Sequence, residues 1–514
     1  MTQTRRRMLT AGVLMLFMTA FFSAAQQTAV AAPQGTLKMA IHWSPSRDWV
    51  DPAVSGFTGS AFFTLYMFHD ALLKPMAGDM YAPCLAESWT VSPDYKVYEF
   101  KLRKGVKFHN GDEMTAEDVV FTFQRYKGGR SKLLLGKIDK LEAVNPYLFR
   151  VSFKESFINF LDYFLVGSST IGYIVPKKYI EKVGDDGYKR NPIGCGPYKF
   201  VEFEAGVKIV GEAFEDYWRK TPSVKRLEVY PVKDIATRYA MVKRGEADLS
   251  TLMIDVFFEK IKKDPKLQLF TPASPTHRCV IMPNQWDTHS PWSDIRVRKA
   301  ASLAIDRQSL VDIHTPGAAA ISTLGLPDND ETLPRPLDPY DPAQAKKLLA
   351  EAGYPNGFDG GEFVPRNGAY FPFGEQVANY WQAIGIRTKV ILLDRAAFMA
   401  QRKAGKFKGK TYIDIVMNPT TAERMTYYLS PPYWGGYPEI DSLMDKYNKA
   451  MDSGDRKKLL KEAQANMYEK RAFLYLTGAS CPTAGTLRVK GDPCKIQKPL
   501  PVWFPAPMED LELK

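Results

Sequence analysis

A strand, a turn and a capped helix follow one another in Tyr98–Phe123, which reads YEFKLRKGVKFHNGDEMTAEDVVFTF. Apolar and charged side chains alternate over 98–103, as in a strand with one solvated face. The sequence His-Asn-Gly-Asp at 109–112 is typical of a turn. Thr115 can then cap a helix whose first turn holds two acidic residues, beside the positive end of the helix dipole. We therefore predict a β–turn–α unit in this part of the chain.

Strands and helices alternate in the second half of the chain, beyond Thr271. Asp341-Pro342 is a typical helix start, and Gly353 is a typical helix stop. We predict strands at Arg387–Leu393 and Tyr412–Met417, with a helix between them at residues 396–403. This alternation predicts an α/β unit.

The composition is that of a globular protein, with 514 residues of which 45% are hydrophobic, 25% charged and 13% aromatic. Disordered, collagen-like and simple coiled-coil chains are excluded, and the length allows roughly two to four domains. The net charge of +12 is spread along the chain, without a long basic run interleaved with aromatic residues. We therefore predict no nucleic-acid partner.

Motifs that would indicate catalysis or a bound cofactor are missing from the sequence. The six histidines form no H-E-x-x-H pattern, and neither G-x-S-x-G nor C-x-x-C occurs. Ala404–Thr411 resembles a relaxed phosphate-binding loop, but a working loop follows a strand and opens a helix, and here the order is reversed. We therefore predict that the protein is not an enzyme and that it holds no metal and no cofactor.

Residues 1–31 form a predicted secretory signal peptide. Three arginines at 5–7 precede a strongly apolar stretch, and Ala29-Val30-Ala31 is a small-x-small cleavage site. An uncleaved membrane anchor is the alternative, with an apolar run near the lower limit for spanning a bilayer. The arginines also fit a twin-arginine signal, so this route and the Sec route both stay open. No cysteine lies near the cleavage site, as a lipoprotein would need, and we predict a mature protein free in a periplasm.

Five cysteines would enter this oxidising compartment. The number is odd, so at least one thiol is unpaired within the chain. Cys481 and Cys494 enclose a short segment that contains Gly and Pro, and they are the pair we favour. The alternative is that all five are small buried side chains.

Several segments resemble one family, in the same order along the chain: LAESW at 85–89, FKLRKGVKFHNG at 100–111, TAEDV at 115–119, NPIGCGPY at 191–198, DYW at 216–218, GEAD at 245–248, DIRVRKA at 294–300, AIDR at 304–307 and AGYPNG at 352–357. The family is the bacterial extracellular solute-binding proteins of family 5, which serve peptide-type ABC importers and are typified by oligopeptide- and dipeptide-binding proteins. Cys195 stands where this family has Thr or Ser. The resemblance covers nearly the whole mature chain.

The resemblance implies an α/β fold, that of a type II-like, class C periplasmic binding protein. Its two lobes would close on a ligand, and a subdomain would be inserted into the first lobe. The implied boundaries are 32–66, 190–273 and 482–514 for the base of the first lobe, 67–189 for the inserted subdomain and 274–481 for the second lobe. The implied function is the periplasmic substrate-binding component of a peptide-type ABC importer, a monomer that captures a peptide or related polar ligand and delivers it to the membrane permease and its ATPases. Two alternatives stay open: a non-peptide ligand, such as a sugar, an opine-like or an acidic compound, and an exported hydrolase.

Peptide binders of this family resemble one another in a loop that this chain matches at Tyr412–Trp434. Their loop is rich in Trp and Asp-Pro and carries an Asp that pairs with the peptide's amino group, since a buried ammonium needs such a partner. The acidic residues here are Asp414, inside a predicted strand, and Glu423, followed by Arg424; Asn418-Pro419 replaces the Asp-Pro. This departure argues against a free peptide amino terminus as the anchored group.

Polar and aromatic side chains in and around this loop are the candidate ligand contacts. Arg366 can meet a carboxylate or phosphate through two parallel hydrogen bonds. The rings add stacking surface, and the set suits a polar, sugar-like or acid-bearing ligand as readily as a peptide. The candidates are Trp286, Arg366, Tyr370, Asn418, Thr420, Glu423, Trp434 and Tyr437.

Overall fold

The structure is a computed structural model, and it describes residues 32–514 apart from 56–60, 129–130, 255, 272, 315–330, 367–369, 394–396, 399, 402–403, 417–419, 430–435 and 495–505. The predicted signal peptide lies outside the described residues. Among the helices of the described part, none is both long and apolar enough to cross a membrane.

The described residues form a mixture of strands and helices. In chain order the strands are β1 Gln34–Ile41, β2 Ala86–Val91, β3 Val97–Leu102, β4 Ile138–Asn145, β5 Leu148–Phe153, β6 Tyr198–Glu204, β7 Lys208–Ala213, β8 Val224–Pro231, β9 Leu249–Ser250, β10 Leu267–Phe270, β11 Ala273–Ile281, β12 Phe358–Val364, β13 Ile386–Val390, β14 Lys410–Val416, β15 Phe473–Ser480, β16 Thr483–Thr486, β17 Val489–Lys490 and β18 Glu512–Leu513. The α-helices are α1 Phe62–Phe68, α2 Ala116–Arg125, α3 Ser131–Lys137, α4 Lys177–Arg190, α5 Ile235–Arg244, α6 Val256–Lys262, α7 Ile295–Leu303, α8 Arg307–His314, α9 Pro342–Glu351, α10 Phe371–Ala383, α11 Thr421–Leu429, α12 Pro438–Lys449 and α13 Ser453–Glu469.

A seven-stranded sheet in the order β10-β16-β9-β1-β8-β7-β6 forms the base of the first lobe. β1 lies in the middle and pairs in parallel with both of its neighbours. The strands come from residues 34–41, 198–270 and 483–486, so the chain leaves this sheet and returns to it near its end. Alternate residues of β1 are buried in one core with α1, as a strand covered on that face requires: Leu37, Met39 and Ile41.

A four-stranded sheet, β2-β3-β5-β4, forms the inserted subdomain and contains the predicted β–turn–α unit. The unit is confirmed, because β3 is followed by a turn in which Gly111 has a φ of 92°, and α2 then begins after Thr115. The Asp118 carboxylate accepts a hydrogen bond from the Thr115 N–H at 2.9 Å as part of a capping box. The core beneath this sheet is rich in phenylalanine.

A five-stranded sheet, β13-β12-β14-β11-β15, forms the second lobe. Successive residues of β11 enter two different cores: Cys279 packs with α12 and α13, whereas Val280 packs with α7 to α10. The sheet is therefore covered by helices on both faces, which is the α/β architecture predicted from the alternation.

The elements predicted for the second lobe are confirmed where the structure describes them. The Asp341 carboxylate caps α9, and Gly353 follows that helix with a φ of 93°. The two predicted strands are β13 and β14. The described residues of 396–403 are helical, and Ala404–Gly409 is a turn that leads into β14 and not into a helix.

β11 and β15 lie beside the lobe boundaries that the resemblance implies, and these two strands pair with each other. The buried Arg278 guanidinium joins them, donating to the Gly478 carbonyl at 2.8 Å and to Thr477 Oγ1 at 3.3 Å. The lobe boundaries that the resemblance implies, near residues 273 and 481, stay predictions.

All five cysteines are buried, and none is in a disulfide. The favoured pair, Cys481 and Cys494, is therefore not formed in this structure. Burial raises the pKa of the Cys481 thiol to about 12, which keeps it protonated at neutral pH. The cysteines correspond to the alternative reading, that of small buried side chains.

A buried lysine–aspartate pair lies beneath the base of the first lobe. Lys74 Nζ donates to Asp70 Oδ1 at 2.6 Å, and both side chains are almost completely buried. Asp70 Oδ2 accepts hydrogen bonds from the Tyr217 hydroxyl and from Trp218 Nε1, each at 2.8 Å. The Asp-Tyr-Trp segment at 216–218 therefore satisfies a buried carboxylate.

The last described segment of the chain joins the same network. Glu509 is fully buried and accepts a hydrogen bond from Arg219 Nε at 2.9 Å. Burial raises the pKa of Glu509, whereas the positive charges of Lys74 and Arg219 lower it. The end of the chain is thereby fixed to the first lobe by charge as well as by packing.

Candidate ligand-binding site

The inserted subdomain and the second lobe touch through polar side chains. Ser168 Oγ donates to Glu423 Oε1 at 2.5 Å, and both side chains are buried. Arg456 Nη2 donates to Asn159 Oδ1 at 2.5 Å, and Asn159 Nδ2 donates to Asn448 Oδ1 at 3.3 Å. These pairs join residues between 255 and 297 positions apart. We call this contact the lobe junction.

Thr420 and Glu423 lie at the start of α11, on the second lobe's side of the junction. Thr420 Oγ1 accepts a hydrogen bond from the Glu423 N–H at 3.1 Å, as an N-cap threonine does. Glu423 is buried, with 8% of the residue exposed, and its partner Ser168 comes from the opposite lobe. Arg424 is fully buried and approaches His277, with 3.5 Å between Nη1 and Nδ1. The acidic residue of the matched loop therefore has a partner within the protein.

Asp162 is an acidic residue of the inserted subdomain that faces the same junction. Its Oδ1 accepts a hydrogen bond from the Tyr81 hydroxyl at 2.6 Å. Burial and then the charge of Glu423 raise the pKa of Asp162 to about 7, with a further contribution from Glu331. The Tyr81 hydrogen bond and the positive charge of Arg456 act in the opposite direction. At neutral pH the carboxyl group is therefore divided between its two protonation states.

Arg366 is a buried side chain with a carboxylate partner of its own. Its Nη1 donates to Asp414 Oδ1 at 2.6 Å, and the Asp414 carboxylate also accepts from the Ile415 N–H at 2.8 Å. Asp414 lies inside β14, as the sequence predicts, and this pair ties the segment after β12 to β14. Whether Arg366 also meets an acidic ligand stays a prediction.

The three described aromatic candidates occupy two places. Tyr370 packs with Ile415 into the core of the first lobe, and the Arg278 guanidinium lies 5.3 Å from its ring centroid. Trp286 and Tyr437 form a ring pair with centroids 5.8 Å apart at the core beside α12. Tyr370 is thus placed between the lobes, whereas the pair belongs to the second lobe.

The structure brings Thr420 and Glu423 together, whereas Arg366 is paired with Asp414 and Tyr370 packs into the core of the first lobe. Asn418 and Trp434 lie outside the described residues. Sequence reasoning missed Asp162 and Ser168, because no motif marks them and their partners are distant in sequence. Within the described residues, no group of three or more His, Cys, Asp or Glu side chains could hold a metal ion.

The family assignment rests on a match over most of the chain. The family described as bacterial extracellular solute-binding proteins, family 5 Middle, matches residues 80–410. The chain belongs to this family. The fold and the family expected from the sequence segments are therefore confirmed, and the lobe junction is a feature of a family 5 solute-binding protein.

Relatives of this family 5 protein have varied names. It is 28% identical to heme-binding protein A of Haemophilus influenzae over 458 residues, which are 80% of this chain and 81% of that one. It is 27% identical to glutathione-binding protein GsiB of Pectobacterium atrosepticum over 475 residues, which are 84% of this chain and 90% of that one.

Solved structures show the same fold. The dipeptide-binding protein of Pseudoalteromonas sp. SM9913 in complex with Met-Leu gives a TM-score of 0.80 at 20% identity, covering 93% of this chain and 100% of that one. AgaA of A. tumefaciens R10 in complex with agropinic acid gives a TM-score of 0.76 at 24% identity, covering 93% and 99%. These likenesses establish the two-lobed architecture of the family 5 protein.

Proposed function

We propose that this family 5 protein is the periplasmic substrate-binding component of an ABC importer, which captures a small polar solute by lobe closure and delivers it to the membrane permease. The hydrogen bond between Ser168 and Glu423 carries the proposal, because it joins the two lobes directly and buries both groups. A contact of this kind forms only when the lobes are together, as in ligand capture by hinge closure. The proposed role is binding without turnover, after export across the inner membrane.

The ligand we propose is a peptide or a related polar compound held without a single ammonium anchor. Glu423, the acidic residue of the matched loop, already accepts a hydrogen bond from Ser168, and Arg366 is paired with Asp414. Each of these two charged groups therefore already has a partner within the protein before a ligand enters. Relatives and structural neighbours named for glutathione, dipeptides and agropinic acid support this range of polar ligands.

Titration of the mature protein tests the proposed function. The panel is Met-Leu, reduced glutathione, agropinic acid and heme, followed by intrinsic tryptophan fluorescence and calorimetry. We expect at least one compound to bind saturably, with no chemical change in the recovered compound. A panel that gives no saturable signal, together with no small molecule found by native mass spectrometry of the purified protein, would count against the proposal.

Glu423→Ala is expected to change the affinity for the bound panel member by less than about tenfold at pH 7. Truncating the only partner of a buried ammonium costs about 2–5 kcal/mol, or more than about thirtyfold in affinity. Asp445→Ala, which removes an exposed carboxylate from α12, is the matched control. Calorimetric titration measures both variants, and a peptide whose affinity collapses only in Glu423→Ala would show that Glu423 is an ammonium anchor after all.

A further inference from the structure

The carboxyl ends of three parallel strands meet at one end of the first sheet. β1 ends at Ile41, and its parallel neighbours β8 and β9 end at Pro231 and Ser250. The chain beyond β9 lies beside the implied lobe boundary, because the Met253 N–H donates to the Pro482 carbonyl at 2.8 Å. Ligands of open α/β sheets bind outside the carboxyl ends of parallel strands. A solute between the lobes would therefore meet the first lobe at this end of the sheet.

A buried arginine fixes the backbone at this end of the sheet. Arg238 of α5 donates to the Val232 carbonyl, which follows β8, at 2.8 Å. It also donates to the Thr251 and Leu252 carbonyls, which follow β9, at 3.1 and 3.2 Å. Leu252 has a φ of 55°, which is a strained value for a leucine. The segments that follow both neighbours of β1 are thereby held in one arrangement.

Trp43 follows the end of β1 by two positions, and it is 3% exposed. Its ring makes edge contacts with the rings of His42 and Phe63, whose centroids lie 4.5 and 6.1 Å away. His42 is itself tied to the end of β9, because its N–H donates to Thr251 Oγ1 at 3.3 Å. The indole is therefore held by aromatic neighbours on a fixed segment of backbone.

The indole of Trp43 carries an N–H that this packing does not satisfy. Nε1 is buried, and in the described part of the chain no acceptor lies within hydrogen-bond distance of it. A buried donor without an acceptor is costly, and such groups are rare in native proteins. The core that contains Trp43 also includes Tyr370 and Ile415 of the second lobe. The unused donor therefore lies in a core to which both lobes contribute.

We infer that Trp43 is a ligand-binding residue of the first lobe, and that its Nε1–H donates a hydrogen bond to a carbonyl or carboxylate oxygen of the solute. The inference rests on the proposed function and adds one specific contact to it. An indole N–H only donates, so it selects an acceptor and not an ammonium group. This chemistry agrees with a polar solute that is held without an ammonium anchor.

Replacement of Trp43 tests the contact. Met-Leu, reduced glutathione and agropinic acid, which all carry carboxylate groups, are titrated by calorimetry into the wild type and into Trp43→Phe. Because the acceptor of the bound compound stays buried without a donor, we expect the affinity to fall by about fivefold to about 150-fold. Trp43→3-benzothienylalanine, which keeps both fused rings and replaces the N–H by sulfur, should show the same loss with the packing preserved. Trp49→Phe, which removes an indole packed against the same core, is the control and should leave the affinity unchanged.

The indole N–H signal of Trp43 separates a ligand contact from a role in packing. Its absence from the proton–nitrogen correlation spectrum of Trp43→Phe identifies the signal. We expect the bound compound to shift this signal downfield and to slow its exchange with solvent, because the N–H then has an acceptor. Weaker binding in Trp43→Phe together with an unmoved signal in the wild type would show that the ring only packs, and it would overturn the inference.

Two further outcomes distinguish this inference from the proposed function. If both Trp43 variants bind one of the three compounds as tightly as the wild type does, the inference is wrong and the proposed function stands. If none of the three compounds binds saturably to the wild type, the result counts against the proposed function, and the inference that rests on it falls as well.

Discussion

Gly194→Ala is expected to destabilise the protein by more than about 4 kcal/mol, or to leave it unfolded. A Cβ atom on residue 194 would lie 2.0 Å from the carbonyl oxygen of Phe68 and 2.6 Å from Nδ1 of His69. The nearest obstacle is backbone at the end of α1, so no side-chain rotation can relieve the clash. The Gly194 carbonyl also accepts a hydrogen bond from the His109 N–H at 2.8 Å, and displacement would break it.

Gly136→Ala is the matched control for this substitution. Residue 136 lies in α3, and a Cβ there meets no atom within 4 Å. Alanine has the higher helix propensity, so we expect a change of at most about 1 kcal/mol in the stabilising direction. Equilibrium unfolding in guanidinium chloride, with the slope compared as well as the midpoint, measures both variants. A Gly194→Ala protein with a wild-type midpoint would disprove the close approach.

Lys74→Met is the second substitution with a large expected effect, a loss of about 3–5 kcal/mol. The side chain of methionine fills a similar volume, but the Asp70 carboxylate loses its ion-pair partner while it stays buried with Glu509 nearby. Its remaining donors, the hydroxyl of Tyr217 and Nε1 of Trp218, carry no positive charge. An uncompensated buried charge is what makes breaking one half of such a pair costly.

The loss in Lys74→Met should depend on pH. The charge of Lys74 lowers the pKa of Glu509, so without the lysine that pKa rises further in the folded protein, and the native variant binds a proton more tightly than its unfolded chain. The deficit relative to wild type therefore shrinks as the pH falls from 8 to 5. Thermal and denaturant unfolding at both pH values measure it. Lys101→Met, which breaks a largely exposed pair with Glu87, should leave the midpoint unchanged; an equal loss in both variants would contradict the argument.

Local chemistry was sufficient to predict the elements of both lobes. The turn at Gly111, the cap at Thr115 and the helix stop at Gly353 depend on neighbours within a few positions, and each is found in the structure. Gly194 illustrates the limit of that reasoning. It resembles the other motif glycines in sequence, but it has no positive φ, and its role is a close approach to residues more than 100 positions earlier.

The candidate site was only partly predictable for the same reason. Glu423 was predicted as a candidate ligand contact because it lies in the matched loop, but nothing near it in sequence indicates that Ser168 is its partner. Arg366 was predicted to meet a carboxylate or phosphate of the ligand, and its proximity to Asp414 arises from the pairing of β12 with β14. Long-range partners decide which charges are left for a ligand, and they depend on the complete topology.

The position of β16 also determines the order in which the protein can assemble. This strand lies between β9 and β10 in the first sheet, although it is synthesised after the whole of the second lobe. The second lobe's strands are contiguous in the chain by comparison, so that lobe can fold while synthesis continues. The first lobe, begun earliest, is therefore completed last. A chain that crosses the membrane unfolded can complete the first lobe only after β16 has emerged on the far side. A chain that is exported in the folded state must complete the first lobe before it crosses.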